Sequence, residues 1–193
     1  MGEWRPGDRL LDYAIADEFG CTRMPVRQAL LRLVNDDLLA TSSRGFRVPV
    51  LDAGQIREVF QLRRILEPAA AAIVARTADP EGLSQQLGLA INIAKVAIVN
   101  LDSDIMFSAN AAFRRAWLQC VGNDRLVRMI ALSADHANQV RFSNTQDVSS
   151  YGYTLAELKK LAAALTSRHA GLAEQAMFDF LLAAEQAYFY RQG

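Results

Sequence analysis

Apolar residues along this chain recur at helical spacing almost throughout. The segment Leu10 to Phe19 reads as a short helix stopped at Gly20, where a left-handed cap is easy. A second helix follows Thr22, with Val26, Leu30 and Leu33 as its apolar stripe. Pro49 to Ala53 breaks the pattern and reads as a linker. Beyond it, Val59, Leu62, Leu66 and Ile73 mark an amphipathic helix from about Gly54 to Arg76, which Pro68 should kink or divide. Asp79-Pro80 opens another helix reaching about Asn100. A third spans Asp104 to Val121, stopped by Gly122-Asn123, and a fourth spans Asp124 to Phe142. After a polar loop from Ser143 to Ser150, Thr154-Leu155-Ala156-Glu157 has the form of a capping box opening a fifth helix. A sixth runs from about Ala170 to Tyr190. No alternating β-type runs occur in this second region, so a helical bundle is expected there.

The second helix carries the first hint of chemistry. Arg23 and Arg27 lie four apart, which puts both guanidinium groups on one face near its N-terminal end. Helix, tight turn and basic second helix form the outline of a helix-turn-helix DNA reader. The formal net charge is +0, yet its distribution is uneven. Residues 20 to 50 hold Arg23, Arg27, Arg32, Arg44 and Arg47 against Asp36 and Asp37, whereas residues 1 to 19 are acidic. Such a balance favours specific binding by a dimer over loose attraction to phosphate.

From Gly7 to Val48 the sequence resembles the winged helix-turn-helix of the GntR family of bacterial transcription regulators. Pro6-Gly7, the run Thr22-Arg23-Met24-Pro25-Val26-Arg27-Gln28-Ala29-Leu30, and Arg44-Gly45 closed by Val48 carry the likeness. Gln28 is the one departure inside the motif, where the family usually has Glu. The resemblance implies that Thr22, Arg23 and Arg27 contact DNA, with Arg44 and Gly45 in the wing. Arg suits a bidentate bond to guanine and Thr22 a phosphate, while Gly45 lets the wing backbone come close. Arg32 faces away from Arg23 and is expected to be structural or a phosphate contact. The family places a helix ahead of the Pro-Gly turn, and the sequence begins at that turn, so a winged domain short of its first helix is expected.

The second region resembles the FCD domain of FadR-type GntR regulators. Phe60 to Pro68 matches its opening helix, Phe113 with Gly122-Asn123 and Leu126 its central helices, and Glu157-Leu158, Ala164-Leu165 and Met177 its final hairpin. The expected architecture is therefore mostly α: a winged helix-turn-helix over residues 1–50, then an all-α ligand-binding and dimerisation domain over residues 54–193. Many FCD domains hold a divalent metal through one Asp and three His. The resemblance puts those four places at Asn110, Arg114, Leu158 and Phe180, none a usual transition-metal ligand, so no metal and no cofactor are expected. Asn110 and Arg114 could instead hold a carboxylate against an apolar wall of Leu158 and Phe180. The other reading has Arg114 outward or paired with an acid, and Leu158 and Phe180 filling the interior. Arg63, four residues before Glu67, is a further candidate at this pocket. Their pair borders the bundle interior or lies on the surface, and the spacing allows both.

Remaining features narrow the picture. No run reads as membrane-spanning, and none as a secretory leader. Cys21 and Cys120 lack metal-ligand spacing and read as two small buried thiols of a cytoplasmic protein. With no His/Cys/Asp cluster and no phosphate-binding glycine loop, an enzyme is not expected. The sequence therefore points to a homodimeric repressor that binds double-stranded operator DNA and senses a small organic acid or acyl effector. The alternative is a dimerisation or protein-interaction module that has lost DNA binding with its first helix.

Overall fold

The computed structural model describes residues 4–136 and 147–190. It divides into two compact units, Met1–Ile56 and Arg57–Gly193.

The first unit combines two helices with a small antiparallel sheet. Strands β1 (Arg9–Leu10), β2 (Ala40–Ser42) and β3 (Gly45–Arg47) lie in the order β1-β3-β2, with Leu10 opposite Phe46 and Ser42 opposite Gly45. Helices α1 (Asp12–Glu18) and α2 (Arg23–Asn35) pack together. Leu10, Leu30, Leu39 and Phe46 form the core, with Ile15, Val26, Val34 and Val48 packed against it. The sequence pattern placed Leu10 in a helix, but the residue belongs to the sheet: pairing with β3 buries its side chain beside Phe46. Within α2, Val34 takes the core position expected of Leu33, which is exposed. Gly20 adopts φ +60° between the two helices, as the expected left-handed cap.

The second unit is a helical bundle. Its helices are α3 (Ala53–Thr77, continuing from the first unit), α4 (Pro80–Asn100), α5 (Ser103–Leu118), α6 (Asp124–His136), α7 (Tyr151–Thr166) and α8 (Ala170–Tyr190). A 3-10 turn at Val148–Ser150 leads into α7. Helix α4 packs along α5 and α7, and α7 along α8. The core between them includes Leu87, Phe113, Trp117, Ile130, Leu161 and Leu181. Two aspartates start helices, Asp79 as the sequence context suggests and Asp102 two residues ahead of the expected start at Asp104. The Asp79 carboxylate accepts from Gly82 N at 2.9 Å, and that of Asp102 from Asp104 N at 2.9 Å.

Three expectations change. Pro68 does not divide α3, which runs from Ala53 to Thr77 as one helix. Thr154 sits within α7, which starts at Tyr151, so the capping-box reading fails; the nearby acid that caps backbone is Asp147, accepting from Ser149 N at 3.0 Å. Helix α4 is long and apolar enough, by composition, to cross a membrane, contrary to the first reading. Its Leu83, Leu87, Ala90, Ala94 and Ala97 are nevertheless buried in the bundle core. Leu89, Ile93, Val96 and Val99 are exposed along the same helix. The stretch expected as the end of the fourth helix and the start of the polar loop, residues 137–146, lies outside the described residues.

Candidate functional site

Two places carry chemistry, one in each unit. In the first, Thr22 is the N-cap position of α2, exposed and extended, and makes no side-chain capping bond. Arg23 and Arg27 follow on successive turns, with side chains 63% and 57% exposed. Both converge on Asp12 in the first turn of α1. Arg23 Nη2 donates to Asp12 Oδ1 at 2.9 Å and Arg27 Nη1 to Asp12 Oδ2 at 3.5 Å. Arg23 also lies over the Tyr13 ring, its guanidinium carbon 5.8 Å from the centroid. The Arg23 hydrogen bond holds the Asp12 carboxyl below the ordinary aspartate value, against an opposing push from desolvation.

The wing is the β2–β3 hairpin. Arg44 is exposed at its turn, and its backbone N–H meets Ser42 Oγ at 3.4 Å. Gly45 has φ +114°, and an added Cβ there would lie 2.7 Å from the Leu10 carbonyl oxygen. Glycine is thus required by the packing of β3 on the end of β1, besides any approach to a duplex. Arg32 is exposed on α2.

In the second unit a cavity of about 130 Å³ opens between α3, α5, α7 and α8. Arg63, Asn110, Arg114, Leu158 and Phe180 all line it, so the one cavity brings together every ligand candidate named from the sequence, from four helices. Their arrangement is dominated by Glu67, which is almost wholly buried. Arg63 Nε donates to Glu67 Oε1 at 2.7 Å, which settles the i,i+4 pair as a buried one. Arg114 turns inward and adds contacts at 3.2–3.3 Å to both Glu67 oxygens, while its Nη2 also reaches the Ile130 carbonyl at 3.1 Å. Asn110 Nδ2 donates to the Met106 carbonyl at 3.1 Å, one turn back on its own helix. Among the described residues, two guanidinium groups meet this one carboxylate at the polar end of the cavity.

Farther along, Met106, Phe113, Trp117, Leu161 and Met177 make the lining apolar. Glu157 also lines it and is held by the exposed Lys160 at 2.6 Å. Tyr151 lines the cavity from the core; burial first, then Asp102, Asp104 and Asp147, push its phenol up.

Sequence reasoning missed Asp12, whereas the pairing of Arg114 with an acid and the packing of Leu158 and Phe180 at the core follow the second reading of those residues. The acidic character of residues 1 to 19 was visible, but no local spacing joins Asp12 to α2. Trp117, Tyr151 and Met177 were likewise not singled out for the cavity. Among the described residues, no three His, Cys, Asp or Glu side chains form a group able to hold a metal ion. Cys21 is exposed and Cys120 half-buried, which corrects the expectation of two buried thiols; Cys21 follows the Gly20 turn, outside the core.

A winged helix-turn-helix unit with a basic second helix, followed along the chain by a helical unit that encloses a mixed polar and apolar cavity, defines a helix-turn-helix transcription regulator with a helical second domain. Residues 58–183 match the FCD domain, and residues 1–48 match the bacterial regulatory proteins of the gntR family. The chain belongs to the GntR-family transcription regulators that carry an FCD domain. It is 36% identical over 84 residues to the HTH-type transcriptional regulator YdhC of Bacillus subtilis, a match covering 43% of this chain and 38% of YdhC. It is 31% identical over 117 residues to the HTH-type transcriptional regulator McbR of Escherichia coli, covering 60% of this chain and 52% of McbR. These matches thus span from about two fifths to about half of the relatives' length. Among solved structures, E. coli McbR/YncC shares the fold with a TM-score of 0.89 at 22% identity, covering 98% of this chain and 91% of that one. A GntR transcriptional regulator from Rhodococcus sp. RHA1 superimposes with a TM-score of 0.78 at 25% identity, covering 96% and 89%.

Proposed function

We propose that this protein is a DNA-binding repressor, with residues 1–50 as its DNA-binding domain and residues 54–193 as its effector-binding and dimerisation domain. The observation that carries the reading is the placement of Arg23 and Arg27. Both are anchored at one end by Asp12 and largely exposed on the first turns of α2. Arg27 and Arg23 reach base edges in the major groove, Thr22 meets phosphate, and Arg44 and Gly45 bring the wing to the backbone. A homodimer presents two α2 helices to the halves of a pseudo-palindrome, and the exposed apolar residues Leu89, Ile93 and Val96 on α4 support self-association. The protein works in the cytoplasm beside its operator, not in a membrane. Selection of duplexes from a random-sequence pool tests the reading: it predicts an enriched motif with two related half-sites, and an unenriched pool opposes it.

The effector we propose is a small organic acid or acyl compound. Its carboxylate sits at the Arg63 and Arg114 end of the cavity, within reach of Asn110, and its apolar part lies against Leu158 and Phe180. No metal takes part. Effector in the cavity weakens DNA binding by favouring a different arrangement of the dimer. A panel of aliphatic and aromatic monocarboxylates, assayed by thermal shift and by release of the selected duplex, tests this. Binding that survives unchanged in Arg114→Ala would remove the carboxylate site.

A further inference from the structure

Asp12 lies outside the residues assigned to DNA, yet it pairs with both reading arginines. Its side chain is nine-tenths buried, while theirs stand more than half exposed. Each carboxylate oxygen takes one arginine, Oδ1 from Arg23 and Oδ2 from Arg27. The pairing crosses from α1 to α2, so it ties side-chain direction to the helix-turn-helix frame rather than to α2 alone. The Tyr13 ring limits Arg23 further. A free arginine samples many rotamers and must lose that freedom on meeting a base; one already pinned loses little. The same carboxylate offsets positive charge on this face, which lowers the attraction to phosphate that any sequence offers.

We propose that Asp12 is a positioning residue that sets DNA sequence specificity by aiming Arg23 and Arg27. The inference rests on the reading of α2 as the DNA-reading helix. Two consequences separate aiming from simple charge. Loss of the carboxylate weakens binding to the preferred sequence while binding to random sequence holds or tightens. Lengthening the side chain by one methylene, with the charge kept, displaces the arginines and also lowers the preference.

The test uses the full chain and fluorescence anisotropy, in roughly physiological salt. The probes are a duplex selected by the wild-type protein from a random pool and an unselected duplex of equal length. Asp12→Asn, isosteric with the original, is expected to reduce the ratio of the two affinities by about tenfold or more, the scale of one bidentate base contact. Asp12→Glu is expected to lower it by a smaller factor with the fold intact, which keeps the test decisive if the Asn variant melts early. Equal tightening on both duplexes in Asp12→Asn, or a ratio unchanged in Asp12→Glu, would overturn the inference and leave α2 as the reader. A wild-type protein without preference for its own selected duplex would overturn the reading of α2 and this inference with it.

Discussion

Glu67 and Arg114, 47 positions apart in sequence, form a largely buried ion pair at the wall of the cavity. Arg63 completes it from one helical turn away. The cluster joins the opening helix of the bundle to α5, so it both holds the core and presents charge to the pocket. Removing Glu67 leaves two guanidinium groups without their shared carboxylate. Glu67→Gln is expected to lower stability by about 3–5 kcal/mol in urea unfolding. Lys160→Ala removes the exposed partner of Glu157, leaves that carboxylate at the cavity and should cost about 1 kcal/mol or less. Similar losses in the two variants would contradict the role given to Glu67.

The wing depends on a glycine that no other residue replaces without strain. An added Cβ at Gly45 meets the Leu10 carbonyl oxygen at 2.7 Å, and φ is +114°. Backbone must shift, because the obstacle is itself backbone. Gly45→Ala is expected to cost roughly 2–3 kcal/mol and to speed amide exchange at Leu10 and Phe46. Gly20→Ala meets nothing within 4 Å at φ +60° and should cost only about 1 kcal/mol. Exchange at Leu10 unchanged by Gly45→Ala would refute the close approach of β3 to β1.

Helix starts give a sharper comparison. Asp79 accepts from two backbone N–H groups at the head of α4, so Asp79→Ala should destabilise by about 1 kcal/mol. Thr154, inside α7, has no end to cap. Thr154→Ala should therefore change the urea midpoint little, since alanine is the better helix former. A loss equal to that of Asp79→Ala would restore the capping-box reading.

The Asp12 link has a defined pH response. Its carboxyl is lowered from 3.8, chiefly by the Arg23 hydrogen bond. A depressed folded value means the stabilisation is complete above 3.8 and lost as pH falls through the lower folded value. Carbon-detected titration of the Asp12 carboxyl should place its midpoint under the ordinary aspartate value, and Arg23→Ala should raise it. A midpoint unmoved by Arg23→Ala would show that the pairing does not hold in solution.

How far sequence reached can be seen residue by residue. The bounds of α4 and α8 were legible because Asp79-Pro80 and the apolar spacing from Ala170 are local signals. On α2 the same kind of signal found Val26 and Leu30 but put Leu33 where Val34 packs. Leu10 was misread because a two-residue strand exists only through its pairing with Gly45–Arg47, which lies far along the chain. Local rules also overrated Thr154, which lies inside α7, and of the two outcomes open to Pro68 a division of α3 does not occur. The cavity residues Arg63, Asn110, Arg114, Leu158 and Phe180 came from family resemblance, whereas the meeting of Arg114 with Glu67 required the fold. Asp12 escaped altogether, since nothing in sequence ties an acid in α1 to arginines in α2.

Fluorescence anisotropy of the wild-type and Arg27→Ala proteins tests the central claim most directly. The labelled probe is DNA from upstream of the protein's own gene, with random DNA as control, in roughly physiological salt. The account predicts preferential binding to the upstream fragment, with Arg27→Ala weakening that specific binding by roughly 1–3 kcal/mol and binding to random DNA by less. Equal affinity of the wild-type protein for both fragments, unaffected by Arg27→Ala, would contradict it.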